Sequence, residues 1–287
     1  MTATQTLPRA DESPRRVRAL LPARIRAARP PRWWQEIGFV LICYELYSLV
    51  RNAVPDQEQA AFRRARDLLR IEGDLHINVE RSVNAFVART HAIAYVCNYY
   101  YATLHFVVTI SVMVWLYRRH PLRYRSMRSV LMVTTITALL GFYLFALAPP
   151  RMLGTHGFVD TVVALHTWGS WGSTGVDSAS NQFAAMPSLH IAWSLWSAIA
   201  IVRLARHGWV RFLGALYPVA TLFVIVGTAN HYVLDAAGGV AVLVVGFAVN
   251  RALAGRGVFD PPELLPTQRQ AKNTLSYTDR DRRVARR

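Results

Sequence analysis

Apolar residues fall in long blocks along this chain, separated by short polar clusters. A helix needs about 20 mainly apolar residues to cross the hydrocarbon core of a bilayer. Six blocks approach that length, at roughly 34–51, 92–117, 129–148, 188–205, 209–228 and 231–250; the first, fourth and last are the shortest or most interrupted. They predict an all-α polytopic membrane protein, a six-helix transmembrane bundle. No linker long enough to separate two cores lies between them, so 33–255 reads as one membrane domain. Residues 1–32 and 256–287, rich in Arg and Pro and poor in apolar residues, read as disordered basic cytoplasmic tails. The first tail has no early apolar stretch, which predicts an uncleaved first span rather than a secretory signal. Residues 56–90 carry mixed charge, and Phe62, Leu69, His76, Val83 and Phe86 mark an apolar stripe. They predict an outer-side segment of helices lying in the interface.

Composition agrees with the block pattern. The chain is 53% hydrophobic and 17% charged, against about 25% charged in a typical soluble domain. Its net charge of +16 raises the question of nucleic acid, and the distribution answers it. Of 33 basic residues, 8 precede residue 33, 5 lie in 118–128, 3 in 203–211 and 9 after residue 250. The other 8 lie in 51–90 and at Arg151, where acids balance them. Alternate loops are therefore basic, the positive-inside pattern, which predicts both termini in the cytoplasm and no nucleic-acid partner. The basic tails suit anionic lipid headgroups. Arginine outnumbers lysine 32 to 1, which suggests a high-GC bacterium and hence a bacterial cytoplasmic membrane. Cys43 and Cys97 fall inside predicted spans, and no disulfide is implied.

The chemistry sits at the mouths of two blocks. Met186-Pro187-Ser188-Leu189-His190 precedes one, and Asn230-His231-Tyr232-Val233-Leu234-Asp235 precedes another. A histidine and an aspartate four apart share a helix face. The carboxylate can then hold the imidazole in one tautomer and leave the other ring nitrogen free to attack. Asp235 stands inside an apolar run, where an ionised carboxylate is costly and marks function by default. The competing structural reading makes Asn230 an N-cap and Asp235 a dipole-favoured acid. His190, alongside, would protonate a leaving group. Arg151 follows Pro149 and Pro150, and a planar guanidinium suits phosphate oxygens, as it also suits lipid headgroups. Ser188 opens a helix whose free N–H groups suit an anion. With six crossings from the inside, every one of these clusters falls on the extracytoplasmic face.

Other residues are weaker candidates. Glu72, His76 and Glu80, spaced by four, suit a headgroup on the outer side. Asn98, Tyr101 and His105 share a helix face and suit either the site or hydrogen bonding within the bundle. Glu45 is an intramembrane acid without a partner by spacing. The loop 154–185, with Trp168 and Trp171 suited to the headgroup layer, reads as a lid. His156 and His166 have no ligand partners at metal spacing, so neither metal nor cofactor is expected.

Pro187-Ser188-Leu189-His190 followed by His231-x-x-x-Asp235 resembles the type 2 phosphatidic acid phosphatase superfamily. Pro149-Pro150-Arg151, Asn230-His231-Tyr232, Gly238-Gly239, the segment Glu72 to Glu80 and the stretch Asn98 to Phe106 look like its branch of inositol phosphorylceramide synthases, the aureobasidin-resistance proteins. The likeness covers roughly 35–250. It implies a lipid-phosphate phosphatase or phosphotransferase, with water or a polyol such as inositol as acceptor. His231 would be the nucleophile that forms a phosphohistidine, Asp235 its orienting carboxylate and His190 the general acid. Arg151 and Ser188 would bind phosphate. Outside those carried-over roles, Glu72, His76, Tyr101, His105 and Asn230 are the candidates for substrate binding. The chain departs from the classical pattern: no lysine precedes Arg151, Ile225 stands six residues before His231 in place of an arginine, and Leu189 replaces a glycine. Fewer cations in the pocket favour a diester or another lipid phosphate over a doubly charged monoester. A transporter or flippase is the alternative class, and it would show an internal repeat; none is visible. A non-catalytic lipid-binding member is the other alternative, against which the intact His190, His231 and Asp235 argue.

Overall fold

The structure is a computed structural model that describes residues 58–167 and 183–260, with 19, 20, 32–38, 41 and 45. Most of the expected first span, both tails and the Trp168–Trp171 stretch lie outside the described residues. Residues 33–38 are helical, and the helices from 58 onwards are α1 (Glu58–Asp74), α2 (Glu80–Arg89), α3 (His91–Arg119), α4 (Pro121–Leu144), α5 (Thr161–Ala164), α6 (Leu189–Leu204), α7 (Gly208–Gly227) and α8 (Val233–Ala254). No strand occurs among the described residues; a single parallel bridge joins Leu147 to Ala184.

Four helices, α3, α4, α7 and α8, are long and apolar enough to cross a membrane. The expected span at 188–205 becomes α6, which has 16 residues. At 1.5 Å per residue it is about 24 Å long, shorter than a hydrocarbon core of about 30 Å. It covers nearly the whole expected run and ends at Leu204, where Ala205 turns to extended backbone. α6 is nevertheless the centre of the bundle, packed against α3, α4, α7 and α8, with Trp196 and Ala200 fully buried. The outer helices turn large apolar side chains outwards: Val96, Ile110, Leu144, Phe212, Val219 and Val244 are each at least 60% exposed. So broad an apolar belt fits hydrocarbon and not water. The protein is membrane-embedded.

Small residues set the spacing of the bundle, as expected where helices associate without a hydrophobic drive between them. A Cβ at Gly239 of α8 would stand 2.5 Å from the Ser188 carbonyl oxygen. A Cβ at Gly141 of α4 would stand 2.6 Å from Pro187. The Pro187–Ser188 turn is thus wedged between α4 and α8. α3 contains a π-turn at Tyr100–Leu104, a feature that shifts the helix face by about one residue.

α1 and α2 lie across one end of the bundle. Ala61, Ala65 and Leu68 pack there against Ala146–Ala148, Ala229 and Tyr232. Asn84 of α2 ties two segments together, donating to the carbonyls of Val159 (3.0 Å) and Gly227 (2.9 Å) and accepting from the Val159 N–H (2.8 Å). At the opposite end Glu36 pairs with Arg128 and accepts from the Tyr124 hydroxyl. Glu45 is an exposed helical residue.

Candidate active site

The turn from α7 into α8 carries His231. α7 ends at Gly227, Ala229 takes a positive φ of 55°, and the N–H groups of Asn230 and His231 return to the Ile225 carbonyl. His231 and Asp235 are buried, 4% and 0% exposed. The Nδ1 of His231 lies 2.9 Å from the Ala185 carbonyl oxygen and 3.3 Å from Asp235 Oδ2. Both partners are acceptors, so Nδ1 carries the proton and Nε2 keeps its lone pair. Asp235 Oδ2 also accepts from the Tyr232 N–H at 2.9 Å. The Tyr232 hydroxyl donates to the Ala148 carbonyl at 2.9 Å, tying this turn to the end of α4.

His190 enters from the first turn of α6. Its ring centroid is 5.4 Å from that of His231, with the planes 64° apart. On its other side Tyr101 stacks at 4.5 Å and His105 lies at 4.2 Å. The Tyr101 carbonyl, within the π-turn of α3, lies close to the rings of His190 and His105. The face-sharing trio therefore divides. Asn98 turns away to hold the loop at α5, donating to the Thr161 carbonyl (3.0 Å) and Thr167 Oγ1 (2.9 Å). Tyr101 and His105, displaced by the π-turn, reach His190.

Arg151 is tied to the two residues just before His231. Its backbone N–H donates to the Ala229 carbonyl at 2.8 Å, and its guanidinium donates to Asn230 Oδ1 at 2.7 Å. Its Nε is 3.4 Å from Asp160, whose Oδ1 also caps α5. Ser188 is fully buried. Its N–H donates to the Asp235 carbonyl at 3.0 Å, and its Oγ accepts from the Ile191 N–H at 3.5 Å as the N-cap of α6. Asn230 Nδ2 donates to Thr228 Oγ1 at 2.8 Å. Of the candidates in 56–90, His76 is exposed at a turn with φ of 57°. Glu72 and Glu80 are buried instead, and their Oε1 atoms accept from the N–H groups of Leu234 and Val233.

His231, Asp235, His190, Arg151, Ser188, Tyr101, His105 and Asn230 thus gather at one end of the bundle, and His76 does not. Three contributors have no signature in the sequence. The carbonyls of Ala185 and Tyr101 are backbone groups, and Asp160 reads as an ordinary loop acid. Glu72 and Glu80 are visible as acids spaced by eight, but their partners are backbone N–H groups of α8. Among the described residues no cluster of three His, Cys, Asp or Glu side chains suits a metal ion.

An all-helical membrane bundle thus presents two facing histidines, one held by a carboxylate, with an arginine bonded to the residue before it. A family model described as the PAP2 superfamily matches residues 66–249, a stretch that includes every residue of this site. The chain belongs to that superfamily, which points to phosphoryl transfer of the lipid-phosphatase type. No curated protein and no solved structure shows a significant match to it.

Proposed function

We propose that the protein is a lipid-phosphate phosphatase or phosphotransferase that works through a phosphohistidine on His231. The observation that carries this reading is the facing pair: His190 and His231 have their rings 5.4 Å apart, and the Nδ1 of His231 is already occupied. The Nε2 lone pair of His231 attacks phosphorus. The bond from phosphorus to the lipid oxygen breaks, and His190 gives its proton to the departing alkoxide. In the second half, an acceptor hydroxyl attacks phosphorus and returns a proton to His190, and the N–P bond breaks. Asp235 stabilises the cation that forms on His231. Arg151, steered by Asn230, offers its charge to the equatorial oxygens, where positioning and charge stabilisation carry most of such a transfer.

The finer reading is a transferase of the inositol phosphorylceramide synthase type, moving a phosphoalcohol or phosphoinositol headgroup. The sparse cation set supports it: Arg151 has no lysine before it, and Ile225 stands where a second arginine would. A phosphodiester carries less charge to balance. The arginine distribution puts this chemistry at the extracytoplasmic face of a bacterial cytoplasmic membrane. The test is to incubate purified protein with phosphatidic acid or phosphatidylinositol, with and without free inositol and ceramide, and to identify products by mass spectrometry. Headgroup transfer to an added alcohol supports the transferase reading. Release of inorganic phosphate alone supports the phosphatase, and an inert protein with all lipids refutes both.

A further inference from the structure

The chemistry above leaves two buried carboxylates unused. Glu72 lies near the end of α1 and Glu80 opens α2, and they are 0% and 1% exposed. A buried carboxylate is costly unless it is paired or hydrogen-bonded. Here the partners are backbone donors: Glu80 Oε1 accepts from the Val233 N–H at 2.9 Å, and Glu72 Oε1 from the Leu234 N–H at 2.8 Å. Asp235 takes the Tyr232 N–H immediately before them. Three consecutive N–H groups at the start of α8 therefore end on three different carboxylates. An ordinary helix start is satisfied by one local side chain or by water. Two of these caps instead come from helices more than 150 residues away in sequence.

The capped turn carries the chemistry. His231 directly precedes it and Asp235 lies within it, so a small rotation of this turn moves both groups relative to His190. A misplacement of about 1 Å at a reacting centre can cost on the order of 100-fold in rate. On the phosphohistidine reading, we propose that Glu72 and Glu80 are positioning residues: they clamp the first turn of α8 and hold His231 and Asp235 in register with His190. The clamp also fills this helix start with negative charge and so turns the substrate phosphate towards Arg151. The groups that face the clamp are Asp235 and Tyr232 from the start of α8, and the two glutamates themselves. Burial and the neighbouring Glu80 push the Glu72 carboxyl well above the ordinary carboxylate range, to about 8. The pair therefore holds a proton near neutrality, which spares it the repulsion of two adjacent anions.

The experiment compares Glu72→Ala, Glu80→Ala, Glu72→Gln and Glu80→Gln in the purified full chain, with phosphatidic acid and phosphatidylinositol in mixed micelles. Glutamine keeps an Oε1 acceptor for the N–H, whereas alanine removes it. The alanine variants should lose on the order of 100-fold in kcat with KM within about twofold, and the glutamine variants should recover most of that loss. In the wild type, kcat should fall as pH rises past the point where the pair loses its proton. Glu72→Gln should move that alkaline limb to higher pH. Monodisperse alanine variants with wild-type kcat would overturn the clamp, as would a Glu72→Gln pH profile superimposable on the wild type. If the alanine variants do not purify, the glutamine pH profile decides alone. An active His231→Ala protein would refute the phosphohistidine reading separately, leaving the clamp to be judged by the alanine–glutamine contrast.

Discussion

The Nδ1 of His231 is closer to the carbonyl oxygen of Ala185, at 2.9 Å, than to the carboxylate of Asp235, at 3.3 Å. A backbone carbonyl and a carboxylate therefore share one N–H. The carbonyl suffices to fix the tautomer, and on the proposed mechanism the carboxylate adds the charge that would stabilise an imidazolium. These two tasks, usually joined in a single acid, are divided here.

That division predicts how Asp235→Asn behaves. The amide retains the shape, and Ala185 still holds the tautomer, so substrate binding should survive. The developing charge on His231 loses its counter-ion, and kcat should fall on the order of 100-fold with little change in KM. Steady-state kinetics on the purified variant checks this. A rise in KM with kcat preserved would reduce Asp235 to shaping the pocket.

The close approach of α8 to the Pro187–Ser188 turn predicts a sharp contrast between two glycines. A Cβ at Gly239 meets the Ser188 carbonyl oxygen at 2.5 Å and Ile191 Cβ at 3.2 Å, and backbone cannot yield as a flexible side chain can. Gly239→Ala should destabilise the protein by about 1–3 kcal/mol, as overpacking does, and lower activity by displacing His190. Gly208 at the start of α7 has open space around it. Gly208→Ala should be neutral or stabilising by up to about 1 kcal/mol. Thermal unfolding in detergent compares them, and equal melting temperatures for the two variants would contradict the packing account.

Stability should depend on pH through Glu72. Its carboxyl titrates near 4.5 when unperturbed and at about 8 in the fold, raised first by burial. The folded protein then binds more protons than the unfolded chain between these values, so stability falls as pH rises. The contribution is fully present below about 4.5 and is lost as pH climbs through about 8. Tm should therefore fall across this window, and Glu72→Gln should flatten the fall. Identical Tm–pH curves for the two proteins would count against the buried carboxyl.

The arginine distribution predicts sidedness. Single cysteines at Thr155 and Ser126, in a background lacking Cys43 and Cys97, report on the two ends of the bundle. A membrane-impermeant thiol reagent added to intact cells should label position 155 and spare 126. Labelling confined to 126 would invert the topology and move the substrate pool to the cytoplasmic leaflet.

The sequence made the helical bundle and the two histidine clusters legible because both signals are local. Long apolar runs mark α3, α4, α7 and α8, and a four-residue spacing pairs His231 with Asp235 although His231 lies just before the helix begins. The extent of α6 was legible too: its apolar run at 188–205 stops at Arg206 and His207, and the helix covers Leu189–Leu204. Asn98, Tyr101 and His105 appeared to share one face, since spacing assumes a regular helix; with the π-turn at Tyr100–Leu104 between them, Asn98 bonds Thr161 and Thr167 while Tyr101 and His105 meet His190. The Ala185 and Tyr101 carbonyls were invisible, because a backbone acceptor leaves no mark on residue type. Glu72 and Glu80 looked like headgroup ligands because an acid between amphipathic helices is normally solvated. Only the packing of α1 and α2 across the bundle end buries them against the N–H groups of Val233 and Leu234.

The proposed mechanism forms a covalent bond between His231 and the substrate phosphorus, and that bond can be trapped. Purified protein is mixed with a lipid substrate carrying radiolabelled phosphate, quenched in alkali within the first turnover, and digested for peptide mapping. The label should be stable in alkali and labile in acid, confined to the peptide containing His231 and absent from His231→Ala. Turnover with no covalent label, or label that persists on the His231→Ala protein, would contradict that mechanism.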